Sequence, residues 1–588
     1  MVFDLVIGID FGTSGVGVAY HQPDGTDPPD KRNAQDNDIT RLTWGSDSFK
    51  KIPAKVGYAY THEQEPTCWG FQVPADNTGV HVQEWFKMKF GSPKFDQRQM
   101  EKVFKDYLSR LNTEISTRLT RDVLRGKSWA DANVSFHFSR PSTWNTALVG
   151  RFKELVEDAG FGQAPHAAHG YGLHTVDVSL VEPQATAALH LRSDASPVQF
   201  KSGQCIIVVD AGAGTTDFSL LKVSNDERGM SRLEEGSPVA GRNIGSAHID
   251  QALQTRIAEV LEPYSYALDC EVDKVAWIMR CSEEFQDAKR TFGTSSSIDA
   301  IPVPHLKDPE SSLGDRIESG VMNGLQKDLR AAFDEQLDKI QGCIRLLPDS
   351  LEDRHYLLLS GGLGSSPYVQ ERLKSFCHHH KALEETEVVA SEEPRMAVSI
   401  GLVYDAMNNG KLLAEICCPT SFGLVFRMPD KIPTTSKWRS KWQELKRRGL
   451  FPNQDSLATG VDWFIKEGTK RTNGEEVTHS YTTSFKEGAA RICEVQIIPS
   501  SDKDPSPVEK DHTQRCIVMR VDLSRSDPVK ESITWRNKSY VTIPFSVKAT
   551  IRPATVDFRC VDSKGKVVSG RVRFPADGGQ NVRPLLMG

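Results

Sequence analysis

Two apolar runs in the chain end in an aspartate and continue into a cluster of small and hydroxyl-bearing residues. The first, IGIDFGTSGVGVAY, covers residues 7–20, and the second, IIVVDAGAGTTDFSLL, covers residues 206–221. Each pattern predicts a buried strand, a tight turn and a second buried strand. Because the pattern recurs, we predict a duplicated α/β domain with one lobe at about 1–203 and another at about 204–392.

The sequence between and after these hairpins contains several segments with helical periodicity. The stretch 21–50 is rich in Asp, Pro and Gly, and this composition predicts a surface excursion of the chain. YLLLSGG at 356–362 predicts a short buried strand that runs into glycines, and a largely apolar returning helix lies within 393–408. Apolar residues at helical spacing predict further helices over 97–125, 149–161, 247–262, 281–292 and 324–347.

The pattern changes beyond about residue 410. Short strands of alternating polarity follow one another there, with Gly, Asp, Ser and Pro between them. This pattern is typical of a β-sandwich. We therefore predict a nucleotide-binding domain at 1–408, an interdomain linker at 409–421 and a β-sandwich domain at 422–588, with no helical segment after the last strand.

Composition narrows the class of protein. The chain has 588 residues, enough for about four globular units at roughly 150 residues each. A hydrophobic fraction of 38% and a net charge of only -6 disfavour a disordered chain and a general nucleic-acid binder. The 11 cysteines contain no CxxC pair and are expected to be reduced thiols. Without a basic leader or a long apolar window, we expect a cytoplasmic or nuclear protein with no transmembrane segment.

The two turns have the chemistry of a phosphate site. A tight turn of small residues directs its backbone N–H groups outward, where they can bind phosphate oxygens, and the hydroxyls of Thr13, Ser14 and Thr215 add donors. Asp10 and Asp210 can hold Mg²⁺ beside the phosphates, mainly through its water shell. A single such turn can also be structural, with the aspartate capping its own turn. Two of them favour a nucleotide whose phosphates are held from both sides.

The order of the motifs resembles the heat shock protein 70 family of the actin-like ATPase superfamily. IGIDFGTS and VVDAGAGTTDFSLL resemble its two phosphate motifs, LVEPQATAAL its connecting motif and LLLSGGLGSSPYV its adenosine motif. DAKRTF, NIGSAHID and WFKMK resemble the family's adenine, nucleotide-contact and catalytic-lysine segments. The resemblance implies an actin-like, ribonuclease H-like, two-lobed ATPase domain followed by a β-sandwich substrate-binding domain.

The resemblance also implies a role for individual residues. It places catalytic groups at Asp10, Lys87 (chosen over Lys89), Glu182, Asp210 and Asp217, and Mg²⁺ at Asp10 and Asp210. It places phosphate contacts at Gly12, Thr13, Ser14, Gly212, Ala213, Gly214 and Thr215. It places adenosine contacts at Gly245, Ser246, Gln286, Lys289, Arg290, Gly361, Gly362, Leu363 and Ser365.

The chain departs from the family pattern at several of these positions. Ala213 replaces a glycine of the second phosphate turn, and Gln286 replaces an acidic ribose contact. Ser365 stands where the family has an arginine that stacks on adenine, and Arg395 where it has an aspartate. The linker KLLAEICCPTSFG also lacks the family's acidic, leucine-rich pattern. Together with the missing helical lid, these departures resemble the divergent, lid-less branch of the family found in fungi and animals.

The leading hypothesis is a slow ATPase (ATP and water to ADP and phosphate) of chaperone type, with ATP or ADP and Mg²⁺ as cofactors. Nucleotide state would set lobe closure, and the β domain or a partner would read it. A client polypeptide or co-chaperone is the implied partner. The alternative is a non-catalytic nucleotide-binding scaffold of the same fold. A small-molecule kinase ranks third because no segment announces a general base for a hydroxyl substrate.

Two further stretches could suggest other chemistry. CHHHK at 377–381 places three imidazoles in succession, which cannot all face one ion on a helix, so a solvated helix end is favoured over a metal site. KWRSKWQELKRRG at 437–449 is a basic amphipathic stretch. Packing against the β-sandwich is favoured there over contact with a membrane or partner.

Overall fold

The computed structural model divides the chain into two compact units, Met1–Trp144 with Arg151–Leu413, and Asn145–Gly150 with Ala414–Gly588. The basic stretch at 437–449 and most of the stretch at 21–50 lie outside the described residues. The structure describes residues 3–23, 38–45, 49–60, 62–144, 146–162, 172–178, 180–193, 196–237, 239–347, 354–408, 410–418, 420–427, 459–500, 505, 516–528, 533–535, 538–552, 555–575 and 585–587.

The first unit is a mixed α/β structure. Its described strands are β1 (Leu5–Phe11), β2 (Gly15–His21), β3 (Ile39–Arg41), β4 (Lys51–Pro53), β5 (Lys55–Ala59), β6 (His62–Trp69), β7 (Val80–Glu84), β8 (Val134–Phe138), β9 (His174–Asp177), β10 (Cys205–Ala211), β11 (Thr216–Asn225), β12 (Ser231–Glu235), β13 (Ala240–Arg242), β14 (Ala300–Pro302), β15 (Ile317–Glu318), β16 (Val321–Asn323), β17 (Arg354–Ser360) and β18 (Glu387–Ala390). Its helices are α1 (Phe86–Lys89), α2 (Gln97–Asp122), α3 (Thr146–Asp158), α4 (Glu182–Arg192), α5 (Ser246–Leu261), α6 (Val272–Cys281), α7 (Glu283–Arg290), α8 (Leu325–Arg345), α9 (Gly361–Gly364), α10 (Pro367–His379) and α11 (Ala397–Met407). Short 3-10 helices lie at Gly70–Gln72 and Glu262–Ala267.

Two larger sheets of this unit share one strand order. In the first, β1 pairs antiparallel with β2 and parallel with β8, giving the order β3-β2-β1-β8-β9. In the second, β10 pairs antiparallel with β11 and parallel with β17, and β12 and β18 flank this core on either side. The strands at the centre of both sheets are buried along their whole length, as their unbroken apolar sequences require. Each hairpin turn therefore lies at one end of a fully buried strand.

Helices α4 and α11 cross at very short range. A Cβ on Gly401 would lie 1.7 Å from the carbonyl oxygen of Ala185, so only glycine fits at this crossing. A Cβ on Gly8 would likewise lie 2.1 Å from the carbonyl oxygen of Ser399, which brings α11 against strand β1. The start of α4, where Glu182 lies, is thereby fixed relative to the strand that carries Asp10.

An aromatic cluster packs against the end of strand β1, where the first hairpin turn begins. Phe11, at the end of β1, stacks on Phe104 with ring centroids 5.2 Å apart and meets the edge of Tyr107 at 5.6 Å. Both partners come from α2, whose buried residues recur every three or four positions as the apolar stripe predicts. Phe86 of α1 packs on the same rings. This cluster anchors α1, which carries Lys87, to the strand that carries Asp10.

The second unit consists of strands in its described residues beyond 413. They are β19 (Leu413–Cys417), β20 (Ser421–Arg427), β21 (Thr459–Ile465), β22 (Lys470–Thr472), β23 (Glu476–Lys486), β24 (Ile492–Ser500), β25 (Ile517–Asp522), β26 (Ile533–Trp535), β27 (Lys538–Ile551), β28 (Thr555–Asp562), β29 (Arg571–Pro575) and β30 (Leu585–Met587). One sheet has the order β21-β20-β24-β25 and another the order β23-β27-β28-β29-β30. Phe422 and Phe464 of the first sheet contact Phe558 of the second, so an apolar layer lies between the two sheets.

The predicted mixed α/β class is confirmed, the predicted domain boundaries stay a prediction, and the structure adds a short strand to each of two stretches. The stretch 21–50 is not simply a surface excursion, because β3 forms an edge strand within it and Trp44 is buried. The predicted linker 409–421 contains strand β19, which pairs with β22 because Ile416 and Cys417 supply a buried apolar edge. Strand β3 lies in a stretch of polar composition, and strand β19 lies where the family's linker pattern is missing, so neither strand was predicted.

Two further observations bear on cellular context. None of the 11 cysteines forms a disulfide bond in the structure. Among the described residues, no helix combines the length and apolar character needed to cross a lipid bilayer. The expected cytoplasmic or nuclear location stays a prediction.

Candidate functional site

The two hairpin turns meet each other. The first turn, Gly12–Ser14, follows β1, and the second turn, Gly212–Thr215, follows β10. A Cβ on Gly214 would lie 2.4 Å from the hydroxyl oxygen of Thr13, so the second turn approaches the first within contact distance. Both turns line one cleft of about 680 Å³. The sequence placed these turns about 200 residues apart, and the fold brings them together.

Asp10 and Asp210 lie at the ends of the strands that enter these turns, and each is nearly buried. The Oδ2 atom of Asp10 lies 2.5 Å from Nζ of Lys51, which forms an ion pair with it. Ser360 donates a hydrogen bond of 2.5 Å to Oδ1 of Asp210. At Gly361, which has φ +80°, a Cβ would lie 2.3 Å from the carbonyl oxygen of Ala211. Only glycine allows this backbone to pass so close to the aspartate.

Lys87 and Glu182 form a buried ion pair in the same cleft. Nζ of Lys87 donates to Oε1 of Glu182 over 2.7 Å, and both side chains are more than nine-tenths buried. The ammonium also lies 5.7 Å from the ring of Trp144. Lys89, two residues further along α1, lies over the ring of Phe95 and does not line the cleft. The structure therefore separates the two lysines that the sequence left as neighbours.

Asp217 lies behind the cleft wall. It pairs with Asp210 across the β10–β11 ladder and is fully buried. Its Oδ1 atom accepts hydrogen bonds from the backbone N–H, over 2.7 Å, and the hydroxyl of Ser142. Its Oδ2 atom has no hydrogen-bond partner among the described residues. This buried, half-satisfied carboxylate adds negative charge beside the cleft without facing it directly.

Burial and repulsion by neighbouring carboxylates raise the pKa of Asp210 and that of Glu182. Burial is the main cause that raises the pKa of Asp210 to about 7. The charge of Asp10 acts in the same direction, and the hydrogen bond from Ser360 opposes both. Burial raises the pKa of Glu182 to about 8, although the neighbouring Lys87 acts in the opposite direction. Burial disfavours the charge on Lys87, but Glu182 and then Asp10 outweigh it and raise the pKa of the ammonium. Without a cation the carboxylates repel one another, so this end of the cleft favours a bound positive charge.

Most of the predicted site residues line this one cleft. Two do not, since Asp217 lies behind the wall and Gly245 lies at the N-terminus of α5, packed against the backbone of Ala213. The predicted residues that line it are Asp10, Gly12, Thr13, Ser14, Lys87, Glu182, Asp210, Gly212, Ala213, Gly214, Thr215, Ser246, Gln286, Lys289, Arg290, Gly361, Gly362, Leu363 and Ser365.

The far end of the cleft, at α7 and the start of α10, carries cations. Lys289 forms an ion pair of 2.5 Å with Asp250, and Arg290 pairs with Asp287 on its own helix. Gln286 lines the cleft but uses its side-chain N–H to bind the carbonyl of residue 280. Arg395 lines the cleft from the segment that precedes α11.

A cluster of ion pairs also joins the two walls of the cleft. Glu84, at the end of β7, accepts hydrogen bonds from Arg280 and Trp277 of α6. Lys55 lies 3.5 Å from the same carboxylate. Arg280 is buried and stacks over the ring of Trp85 at 4.6 Å. These contacts hold the wall that contains β5 and β7 against the wall that contains α6.

Sequence reasoning missed several polar groups that hold the predicted residues. Lys51, Ser142 and Ser360 contact aspartates that are 41, 75 and 150 residues away along the chain. No local pattern marks such partners. Ser360 lies within the quoted LLLSGG motif and could have been considered there, because it directly precedes the glycines.

The residues present fit a magnesium nucleotide. No group of three or more His, Cys, Asp or Glu in the described part of the chain forms a ready metal site. Asp10 and Asp210 supply oxygen ligands of the kind that Mg²⁺ prefers, and both turns line the cleft beside them.

Comparison with known proteins gives one line of similarity. No family model matches the chain. The chain is 21% identical to the Chaperone protein DnaK of Thermotoga petrophila over 506 residues, which cover 82% of this chain and 73% of the bacterial protein. The Chaperone protein DnaK of Thermotoga maritima and that of Thermotoga sp. strain RQ2 match to the same extent. The similarity supports a relationship to the heat shock protein 70 proteins at a coarse level.

Proposed function

We propose that the chain binds ATP or ADP with Mg²⁺ in this cleft and slowly hydrolyses ATP as a chaperone-like protein. The observation that carries the proposal is the meeting of the two turns, with Thr13 against Gly214 and an aspartate at the entrance to each turn. The similarity to the Chaperone protein DnaK supports the same function. In this proposal the two lobes are an actin-like duplication, which the shared strand order of the two large sheets supports.

The turns would bind the phosphates. The hydroxyl-bearing residues Thr13, Ser14 and Thr215 line the cleft and would donate to phosphate oxygens. The N–H groups of Gly12 and Gly212 already donate to carbonyls within their turns, so the other N–H groups of the turns would bind the phosphates. Asp10 and Asp210 would hold Mg²⁺, mainly through its water shell. When bound, the ion would neutralise charge on the phosphates and orient them.

Lys87 and Glu182 would act on the attacking water. Their ion pair fixes both groups at the cleft. Burial raises the pKa of Glu182 to about 8, which is close to the operating pH at which a general base is most effective. Lys87 would orient the water and stabilise charge that develops on the phosphoryl group. Asp217 would act behind these residues by keeping the site negative.

Hydrolysis would change lobe closure. A γ-phosphate held by both turns would join the lobes, and its loss would remove that link. The contacts of Glu84 with Arg280 join the same two walls without nucleotide. Closure would therefore depend on the nucleotide only in part. The second unit, or a client or co-chaperone, would read the difference.

The chain is proposed to belong to the divergent, lid-less branch of the heat shock protein 70 type. The altered residues Ser365 and Arg395 support this assignment.

The proposal is tested by ATP turnover of Asp10→Asn and Lys87→Ala. Each substitution is expected to lower kcat by about 10²–10³, the usual cost of removing one group that stabilises the transition state. Lys89→Ala is the matched control, because it removes a lysine from the same helix that does not line the cleft, and it should change kcat by less than about twofold. Unchanged turnover in both site variants would contradict the assignment.

The alternative is a non-catalytic scaffold that binds nucleotide as a structural ligand. The altered far end of the cleft, with Ser365 and Arg395, is the observation that favours it. Calorimetry that shows tight binding of ATP, with no release of phosphate over many hours, would support the scaffold over the ATPase.

A further inference from the structure

We propose that the far end of the cleft contains a second anion subsite, formed by Ser366, Arg290 and Arg395 at the N-terminus of α10, and that it binds a phosphoryl group on the ribose of a nucleotide. The proposal rests on the proposed function and narrows its ligand. The nucleotide would carry one phosphate group at its ribose 2′ or 3′ position in addition to its 5′ chain.

The N-terminus of α10 opens on the cleft. Ser365, Ser366 and Pro367 all line it, and α10 runs for 13 residues from Pro367. The first N–H groups of a helix have no partner within the helix and carry partial positive charge, which favours an anion. Ser366 occupies the position that caps this helix, yet its side chain makes no capping hydrogen bond.

Ser366 gives an independent sign of a missing ligand. The residue lines the cleft and is only 8% exposed. Its hydroxyl has no hydrogen-bond partner among the described residues. A buried hydroxyl without a partner is unfavourable, so such groups are normally satisfied by protein, water or ligand. A phosphoryl oxygen at the start of α10 would accept from it.

Two arginines complete the subsite. Arg395 is exposed in the cleft and forms no ion pair within the described part of the chain, whereas Arg290 is paired with Asp287. The nearest acid along the chain, Glu393, is already shared by Arg41 and Lys50. The charge on Arg395 is therefore uncompensated.

The segment around Arg395 is fixed in place. The backbone N–H of Gly361 donates to the carbonyl of Pro394 over 3.0 Å, and Met396 is fully buried beneath the segment. Arg290 and Arg395 line the same cleft. Desolvation, and then the charge of Arg290, lower the pKa of Arg395. Two guanidinium groups together suit a phosphoryl group, because each presents a fork of N–H donors to its oxygens.

The test is calorimetric titration of the full chain, in Mg²⁺ and low salt, with ADP and with ADP phosphorylated at the ribose 2′ or 3′ position. One of the two phosphorylated nucleotides is expected to bind at least about tenfold more tightly than ADP, because charge-assisted contacts to phosphate add more than one neutral hydrogen bond. Arg395→Ser should abolish that gain, and Ser366→Ala should reduce it.

Arg372→Ser is the matched control. It removes an exposed arginine further along the same helix that does not line the cleft, and it should preserve the gain. If ADP binds and neither ribose phosphate improves its affinity, the subsite is wrong and the proposed function stands. A loss of ADP affinity in Arg395→Ser without any effect of the ribose phosphate would also overturn the subsite, because Arg395 would then serve the 5′ phosphates. If none of these nucleotides binds, the proposed function and the subsite that rests on it are both wrong.

Discussion

The two ends of the cleft are rich in ionisable side chains of opposite type. At the hairpin end the carboxylates Asp10, Glu182, Asp210 and Asp217 outnumber the ammonium groups of Lys51 and Lys87. At the far end the cations Lys289, Arg290 and Arg395 outnumber the carboxylates Asp250 and Asp287. A cation is therefore favoured at one end and an anion at the other. The contrast indicates that the hairpin end of the cleft can keep the chemistry of a metal and phosphate site while the far end changes its ligand preference.

The largest effect is expected at the hairpin end from Asp210→Asn. The substitution keeps the shape and the hydrogen bond from Ser360 but removes a charge that would help to hold Mg²⁺. ATP turnover should fall by about 10²–10³ in single-turnover measurements. Asp287→Asn, which removes a carboxylate from the far end, should change turnover by less than about threefold. Equal losses in the two variants would remove the functional distinction between the ends.

Gly361→Ala should destabilise the fold that supports Asp210. The new Cβ would lie 2.3 Å from the carbonyl oxygen of Ala211, at a residue with φ +80°. We expect the free energy of unfolding to fall by about 1–3 kcal/mol, measured by urea denaturation. Gly362→Ala is the control, because a Cβ there meets no atom within 4 Å. Similar stability of the two variants would show that the close approach at Gly361 does not matter.

Binding of Mg–ADP should strengthen as the pH rises. Burial raises the pKa of Asp210 to about 7 and that of Glu182 to about 8, so both groups hold a proton at lower pH and must lose it to favour a cation. Affinity should increase by about tenfold between pH 6 and pH 8. Asp210→Asn should show a flatter profile, and it also corrects for titration of the nucleotide itself. A flat profile in the unmodified protein would contradict the electrostatic account.

The same shifts predict how stability without nucleotide depends on pH. A carboxyl whose pKa is raised on folding contributes stability at pH values below its unfolded pKa, near 4. That stability is lost as the pH rises through about 7 to 8. Thermal unfolding should therefore occur at lower temperature at pH 8.5 than at pH 6. Mg–ADP should offset part of the difference, because a bound cation replaces the lost protons. A midpoint that rises steadily with pH would contradict this.

The smallest effect is expected from Ser365→Arg at the far end. Ser365 lines the cleft and its hydroxyl donates to the carbonyl of Gly362. A guanidinium at this position could reach a planar base. Affinity for ATP should rise by about threefold, the scale of one exposed cation–π contact. Fluorescence titration of a base-modified ATP analogue would measure it. Weaker binding would instead indicate repulsion by Arg290 and Arg395 and would sharpen the charge contrast.

The hairpin end could be predicted from sequence because its groups are neighbours along the chain. Asp10 directly precedes the first turn and Asp210 the second, so each aspartate and its turn form one local pattern. The partners of these aspartates could not be predicted. Lys51 and Ser360 reach them only through pairing of strands that are distant in sequence. The far end was harder to predict, because Ser366 carries no local signal and Arg395 was marked only as a departure from the family pattern. Helix α10 and the segment before α11 bring these two residues to the cleft.

The central claim is that one magnesium nucleotide lies between the two turns and joins both lobes. The most direct measurement is a crystal structure of the full chain with Mn²⁺ in place of Mg²⁺ and a non-hydrolysable ATP analogue, with the metal located by its anomalous scattering. The account predicts a single manganese peak between Asp10 and Asp210, with phosphate oxygens on the N–H groups of both turns. A manganese peak elsewhere, or an analogue bound to one turn alone, would contradict it.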